Sequence, residues 1–352
     1  MMTQELKKIW NIPMVLLAAG VLLVTVFLSV NTGRWDYFAE DDALYRTYIN
    51  RWEGRVSPYK TNRIMEEGAS ISQILSQKEE MLQAYQNGEL DGLQYDAYLK
   101  KLDDASLHEA VFFRMQEEYF YLLTEQEKGI ENLQLLYGRY WNYFFQTDTV
   151  SLLLLFLTLG IVIRCFFLET STRMLSLLKA SCRGYGGVMA QKGAAVACSI
   201  GIIAFLTEGI RFLVFWLCFS MKNGNAALQS LSVFADVNMS LGLGSGVILV
   251  IALQVAGCIL TGLVGLYIAM CMPKELPAVG LLLVILFLPY LLRESVPWLF
   301  SCSLYSIMTG TSVLQTAALY GVDAWREVGI MAGISLLWGL VAGILYWIGK
   351  RR

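Results

Sequence analysis

Glu208 and Arg211 interrupt an otherwise apolar stretch and are the first residues whose types and spacing suggest chemistry. Three positions apart on a helix they share a face, and a charge in hydrocarbon is costly unless paired or hydrated, so an intrahelical ion pair is expected. Such a pair either locks helix packing or lines a path that opens during transport. Gln254, the strongly polar side chain of another apolar run, is a matching candidate for a hydrogen bond across a helix bundle. Catalytic chemistry has little to draw on. The single histidine, His108, rules out a two-His metal site, and any Ser-His or Cys-His nucleophile would have to use that one residue. No Gly-x-x-x-x-Gly-Lys-Ser/Thr occurs, and Gly184, Gly186 and Gly187 before Lys192 have the wrong spacing for a phosphate loop. The chain is therefore expected to be no enzyme, to hold no metal or other cofactor, and, lacking a basic groove with interleaved aromatics, to bind no nucleic acid.

The elements that position these residues are set by composition. Of 352 residues, 56% are hydrophobic and 16% charged, too apolar for a soluble chain of this length. Ile12 to Val30 is uncharged throughout and long enough to cross a hydrocarbon core of roughly 30 Å. It is read as a retained anchor, because no small-x-small cleavage site closes it. Further spans are expected at 149–167, 193–221, 245–270, 276–292 and 328–348, giving six transmembrane helices in an all-α membrane protein. Gly329, Gly333, Gly339 and Gly343 make two small-xxx-small patterns in the sixth, expected to pack closely within the bundle or, as a weaker alternative, at a dimer contact.

Charge sets the orientation. With both termini cytoplasmic, the inner segments hold Lys7, Lys8, Arg164, Arg173, Lys179, Arg183, Lys192, Lys274, Lys350, Arg351 and Arg352, against Lys222, Arg293 and Arg326 in the short outer loops. That bias follows the positive-inside rule. Residues 1–30 then form the cytoplasmic N-terminus and first span, 31–148 an extracytoplasmic domain, and 149–352 the five-helix remainder.

The 31–148 segment carries 21 acidic against 12 basic residues and no cysteine, so it is a water-exposed acidic domain without disulfides. Ile71, Leu75, Leu82 and Tyr85 fall on one helical face before Gly88 and Gly92, which predicts a helical hairpin. Its return arm repeats apolar residues from Val111 through Met115, Tyr119, Leu122, Ile130, Leu133, Tyr137 and Tyr140 to Phe144, and is expected to enter the membrane as one long helix. This stripe either packs the hairpin onto itself or a second copy, or receives an exported ligand.

The inner loop 168–192 is the most informative stretch. Glu169, Arg173, Met174, Leu177, Leu178, Lys179, Arg183 and Lys192 make a basic amphipathic helix candidate, which either lies on anionic lipid headgroups or docks on a protein. An acidic residue just after the second span, a Leu-Leu pair eight residues later and a Lys opening the third span resemble the permease subunits of type-2 ATP-binding-cassette (ABC) transporters. Leu228, Gln229, Ser230, Leu231, Phe234, Ser240, Leu241 and Gly242 are similar to their outer loop. With the six-span plan and the outer domain, the resemblance covers nearly the whole chain. It implies that 168–192 is a coupling helix seated in a separate ATPase subunit, which holds ATP and Mg. It also implies a second permease subunit, a copy or a similar chain, and short outer helices within 295–321. Trp298, Leu299, Phe300 and Tyr305 would dip into the outer leaflet.

The expected function is that of the membrane-spanning subunit of an ABC exporter in a bacterial plasma membrane. The alternative from another class is a membrane sensor or scaffold whose outer domain binds a partner. A secondary transporter is the third reading, weakened by Glu208 being the one acidic residue within the spans and by the lack of a detectable repeat.

Overall fold

A computed structural model describes residues 2–32, 39–87, 89–146, 149–171, 184–219, 221–235, 237, 241–272, 274–310 and 324–351. It is about 84% helical, and among the described residues the sheet is a two-stranded ribbon. The fold is that of an all-α membrane protein. Four helices are long and apolar enough to cross a membrane: α2 (Ile12–Thr32), the stretch Arg139–Phe166 made by α7 (Arg139–Gln146) and α8 (Thr149–Ser171), α9 (Gly184–Phe219) and α10 (Leu243–Cys271). Apolar stretches inside α11 (Glu275–Leu291) and α14 (Ala324–Arg351) are shorter, at Leu276–Leu291 and Ala332–Ile348.

Between the first two spans lies a helical unit: α3 (Ala39–Trp52), β1 (Gly54–Arg55), α4 (Pro58–Ser76), α5 (Lys78–Gln86), α6 (Gly92–Glu127) and β2 (Gln134–Leu135). Local chemistry starts each arm. Ser57 caps α4, its hydroxyl accepting from the Lys60 amide, with Pro58 at the first helical position where a missing N–H costs nothing. Asp91 and Gln94 form a capping box at the start of α6. The arms run antiparallel, as their partners show: Tyr119 with Ser57 at 2.9 and 3.1 Å, Tyr98 with the Ile74 carbonyl at 2.8 Å, and Tyr85 stacked on Tyr95 at 4.3 Å. Ile49, Ile64, Phe112, Met115 and Tyr119 are fully buried between them.

One expectation is corrected here: the return arm is not a single helix into the membrane. It stops at Glu127, because Gly129 takes φ +91° and Asn132 φ +61°, left-handed conformations that end a helix and that Gly and Asn adopt at least cost. The chain then pairs β2 with β1, Gly54 opposite Leu135, before α7 begins. The apolar spacing of residues 130–144 continued the helical pattern, but the buried Leu133 and Leu135 serve a ribbon and turn.

In the bundle α10 is central, packing on α8, α9, α11, α13 (Leu304–Thr309) and α14. At Gly257 a Cβ would lie 2.6 Å from the Met308 amide nitrogen, so glycine is what lets the α13 backbone rest on α10. The short helices α12 (Pro297–Ser301) and α13 fall within the expected 295–321 segment, whose residues 311–321 lie outside the described residues. Trp298 is exposed, whereas Tyr305 and the rest of α13 are buried in the bundle and do not dip freely into a leaflet. The α14 glycines also differ from expectation. Among the described residues nothing lies within 4 Å of a Cβ at Gly329, Gly333, Gly339 or Gly343, and α14 packs on the bundle through Ala342, Leu345 and Tyr346 instead.

Candidate functional site

Two polar clusters occupy the bundle, one at the end of α9 that meets α1 (Met2–Ile9), the other toward the far end of the same helix. Helix α9 has 36 residues and is therefore roughly 54 Å long, well beyond a hydrocarbon core of roughly 30 Å. In its third turn Lys192 is fully buried. The Lys192 ammonium donates to Glu5 Oε2 at 2.8 Å and to the Cys165 carbonyl at 3.0 Å, and Glu5 Oε1 accepts from Lys8 at 3.0 Å. Arg164 Nε donates to the Lys8 carbonyl at 3.2 Å, and Trp10 Nε1 to Ser199 Oγ at 3.0 Å. Helices α1, α8 and α9 are thereby tied at one level. Burial pushes the Glu5 carboxyl up, but the hydrogen bonds and charges of Lys192 and Lys8 outweigh it and hold Glu5 below the usual glutamate range.

Of the loop residues singled out in the sequence, Lys192 is therefore part of α9 and turned inward. Glu169 falls in the last turn of α8, its side chain outside the described residues, as are Arg173, Met174, Leu177, Leu178, Lys179 and Arg183. Glu5 was missed by sequence reasoning. Its signal was available: it lies three residues before Lys8 in a short segment with apolar Leu6 and Ile9, and Ile9 is fully buried.

Glu208 and Arg211 sit about 16 and 12 Å from the far end of α9. Both are buried, with Arg211 Nη1 3.1 Å from Glu208 Oε2. The guanidinium also donates through Nη2 to the Phe144 carbonyl, and its carbon stands 4.7 Å above the Phe144 ring, so it joins α9 to α7. Antiparallel packing of α9 on α10, with Gly201 facing Ile259 and Gly193 facing Tyr267, brings Glu208 level with the turn that carries Gln254. Gln254 Nε2 donates to the Thr309 carbonyl at 3.2 Å, so its partner is α13, an element the sequence pattern did not connect to it. Gln254, Cys258 and Thr261 follow one another on one face of α10.

Glu208 Oε1, Arg211 Nε, Gln254 Oε1 and Thr261 Oγ1 are buried and have no hydrogen-bond partner among the described residues. Each such atom costs about 1–3 kcal/mol in an apolar setting, so this seam between α9 and α10 is not optimised for packing alone.

The chain matches no family model, no curated protein and no solved structure.

Proposed function

We propose that this chain is the membrane-spanning subunit of a type-2 ABC exporter. It would work as a pair, with a second copy or similar chain, and with two ATPase subunits that supply ATP and Mg on the cytoplasmic side of a bacterial plasma membrane. In this reading the two shorter apolar helices complete six spans, both termini are cytoplasmic and the acidic helical unit is the outer domain. The observation that carries the reading is the buried Lys192 clamp. It joins the helices on both sides of loop 168–192 to each other and to α1, so a push on that loop would move three helices as a block. A hinged loop without such a brace would absorb the push.

Closure of the ATPase pair would then favour one packing of the bundle over another through contacts that differ between the two states. The seam of Glu208, Arg211, Gln254 and Thr261 supplies polar atoms able to change partners as α9 slides on α10. No residue of this chain performs the hydrolysis.

The test is affinity purification of the tagged chain from its native membrane in mild detergent. An ATP-hydrolysing subunit should accompany it and be lost when Leu177 and Leu178 are changed to Asp. A clean preparation with no ATPase, stable across several detergents, would overturn the reading in favour of a membrane sensor or scaffold.

A further inference from the structure

We propose that a cleft of about 580 Å³ where the acidic helical unit meets α7 binds a zwitterionic amphiphile, a molecule with an ammonium and an anionic group beside an apolar portion. The volume falls inside the range of roughly 300–1,000 Å³ typical of small-molecule sites. The proposal rests on the cleft itself and not on the transport reading.

The walls are two one-sided helix stripes. On α6, Val111, Arg114, Glu118 and Leu122 recur at helical spacing, and on α7 so do Arg139, Asn142 and Gln146. Leu135, Leu136 and Leu231 add apolar lining. Since α7 opens the apolar stretch Arg139–Phe166, the cleft adjoins the start of a candidate span, within reach of an amphiphile that partitions into a membrane.

Charge decides the ligand class. Asp42 and Arg139 close on each other at 2.5 Å, and the Tyr137 hydroxyl adds 2.8 Å contacts to both Asp42 oxygens, so this pair is committed. Arg114 and Glu118 are held more loosely, 3.9 Å apart with the Arg114 side chain 69% exposed and its guanidinium 4.7 Å above the Tyr45 ring. They present one cation and one carboxylate side by side, a match for the opposite charges of a zwitterion and a poor one for a plain cation or anion. Glu118 also accepts the Tyr45 hydroxyl, and burial raises its carboxyl above the usual range, a cost that a ligand ammonium would relieve.

The chemistry could come from a phospholipid headgroup or from the termini of a short peptide, and the test separates them. Full-length protein in nonionic detergent is titrated by ligand-observed NMR with monomeric dihexanoyl-phosphatidylethanolamine and with tri-leucine. Dihexanoyl-phosphatidylglycerol and N-acetyl tri-leucine are the singly charged controls. At least one zwitterion should bind about tenfold more tightly than its control, and Arg114→Gln or Glu118→Gln should each weaken it about tenfold. Ala110→Trp, which fills the exposed mouth without touching a buried group, should remove binding while leaving the melting temperature in place. Whichever zwitterion binds identifies the source. Equal binding of the controls, binding that survives Ala110→Trp, or no binding of either zwitterion overturns the proposal. ATPase co-purification is read separately, so failure here leaves the transport reading to its own test.

Discussion

The Lys192 ammonium and the Glu5 carboxylate are 2.8 Å apart although 187 residues separate them in the chain. One is fully buried and the other nearly so, and the contact binds the N-terminal helix to the start of α9. Removing one partner of a buried pair is destabilising, because the other keeps its charge with less compensation, for Glu5 only the half-exposed Lys8.

Lys192→Met should therefore lower the thermal unfolding temperature in detergent more than Lys192→Met combined with Glu5→Gln, the single change costing about 3–5 kcal/mol. Equal losses in both would show that Glu5 is satisfied without Lys192.

The same pair sets an acid limit. Glu5 is held below its ordinary value of 4.5, so the folded state binds a proton there less readily than the unfolded chain. The stability it contributes is present above pH 4.5 and is lost as pH falls through the lowered value. Unfolding followed across pH 3 to 6 should show a steep acid limb (the range being about the usual carboxylate window), and Glu5→Gln should flatten it.

In the last third of α9, Glu208→Gln leaves Arg211 buried beside an uncharged partner. It should reduce yield or transport more than Glu208→Gln together with Arg211→Gln, with the single change costing about 3–5 kcal/mol. A worse double variant would mean that the guanidinium matters chiefly through the Phe144 carbonyl and ring.

Gly257 is the place where α13 rests on α10, and a Cβ there would meet the Met308 amide nitrogen and the Ile307 carbonyl carbon at 2.6 and 2.7 Å. Because backbone cannot rotate away as a side chain can, Gly257→Ala should cost at least about 1–3 kcal/mol, read as a lower melting temperature. It should also loosen the Gln254–Thr309 hydrogen bond, visible as faster hydrogen exchange in residues 304–310.

Gly129 ends α6 at φ +91° with open space around it, so strain and not crowding would be the effect of a side chain. Gly129→Val should destabilise the β1–β2 ribbon by about 1–2 kcal/mol, seen as earlier exchange at Gln134 and Leu135. No change would mean that the turn tolerates a β-branched residue by rearranging.

Apolar run length alone determined the membrane class and the positions of the long spans, because crossing hydrocarbon imposes a minimum length that no tertiary contact can waive. Helical spacing likewise made the Glu208–Arg211 pair and the hairpin arms readable, since both depend on residues three or four apart. The partners of those residues were a different matter. Glu5 for Lys192, Phe144 for Arg211 and Thr309 for Gln254 are separated by 187, 67 and 55 positions, and such choices follow from how whole helices pack. The break after Glu127 shows the same limit from the other side. A local apolar pattern continued the helix, but the left-handed residues Gly129 and Asn132 ended it, and pairing of Gly54 with Leu135 across the unit fixed the path of the chain beyond them. Local periodicity records what each segment can bury, while only the tertiary structure selects which neighbour it is buried against.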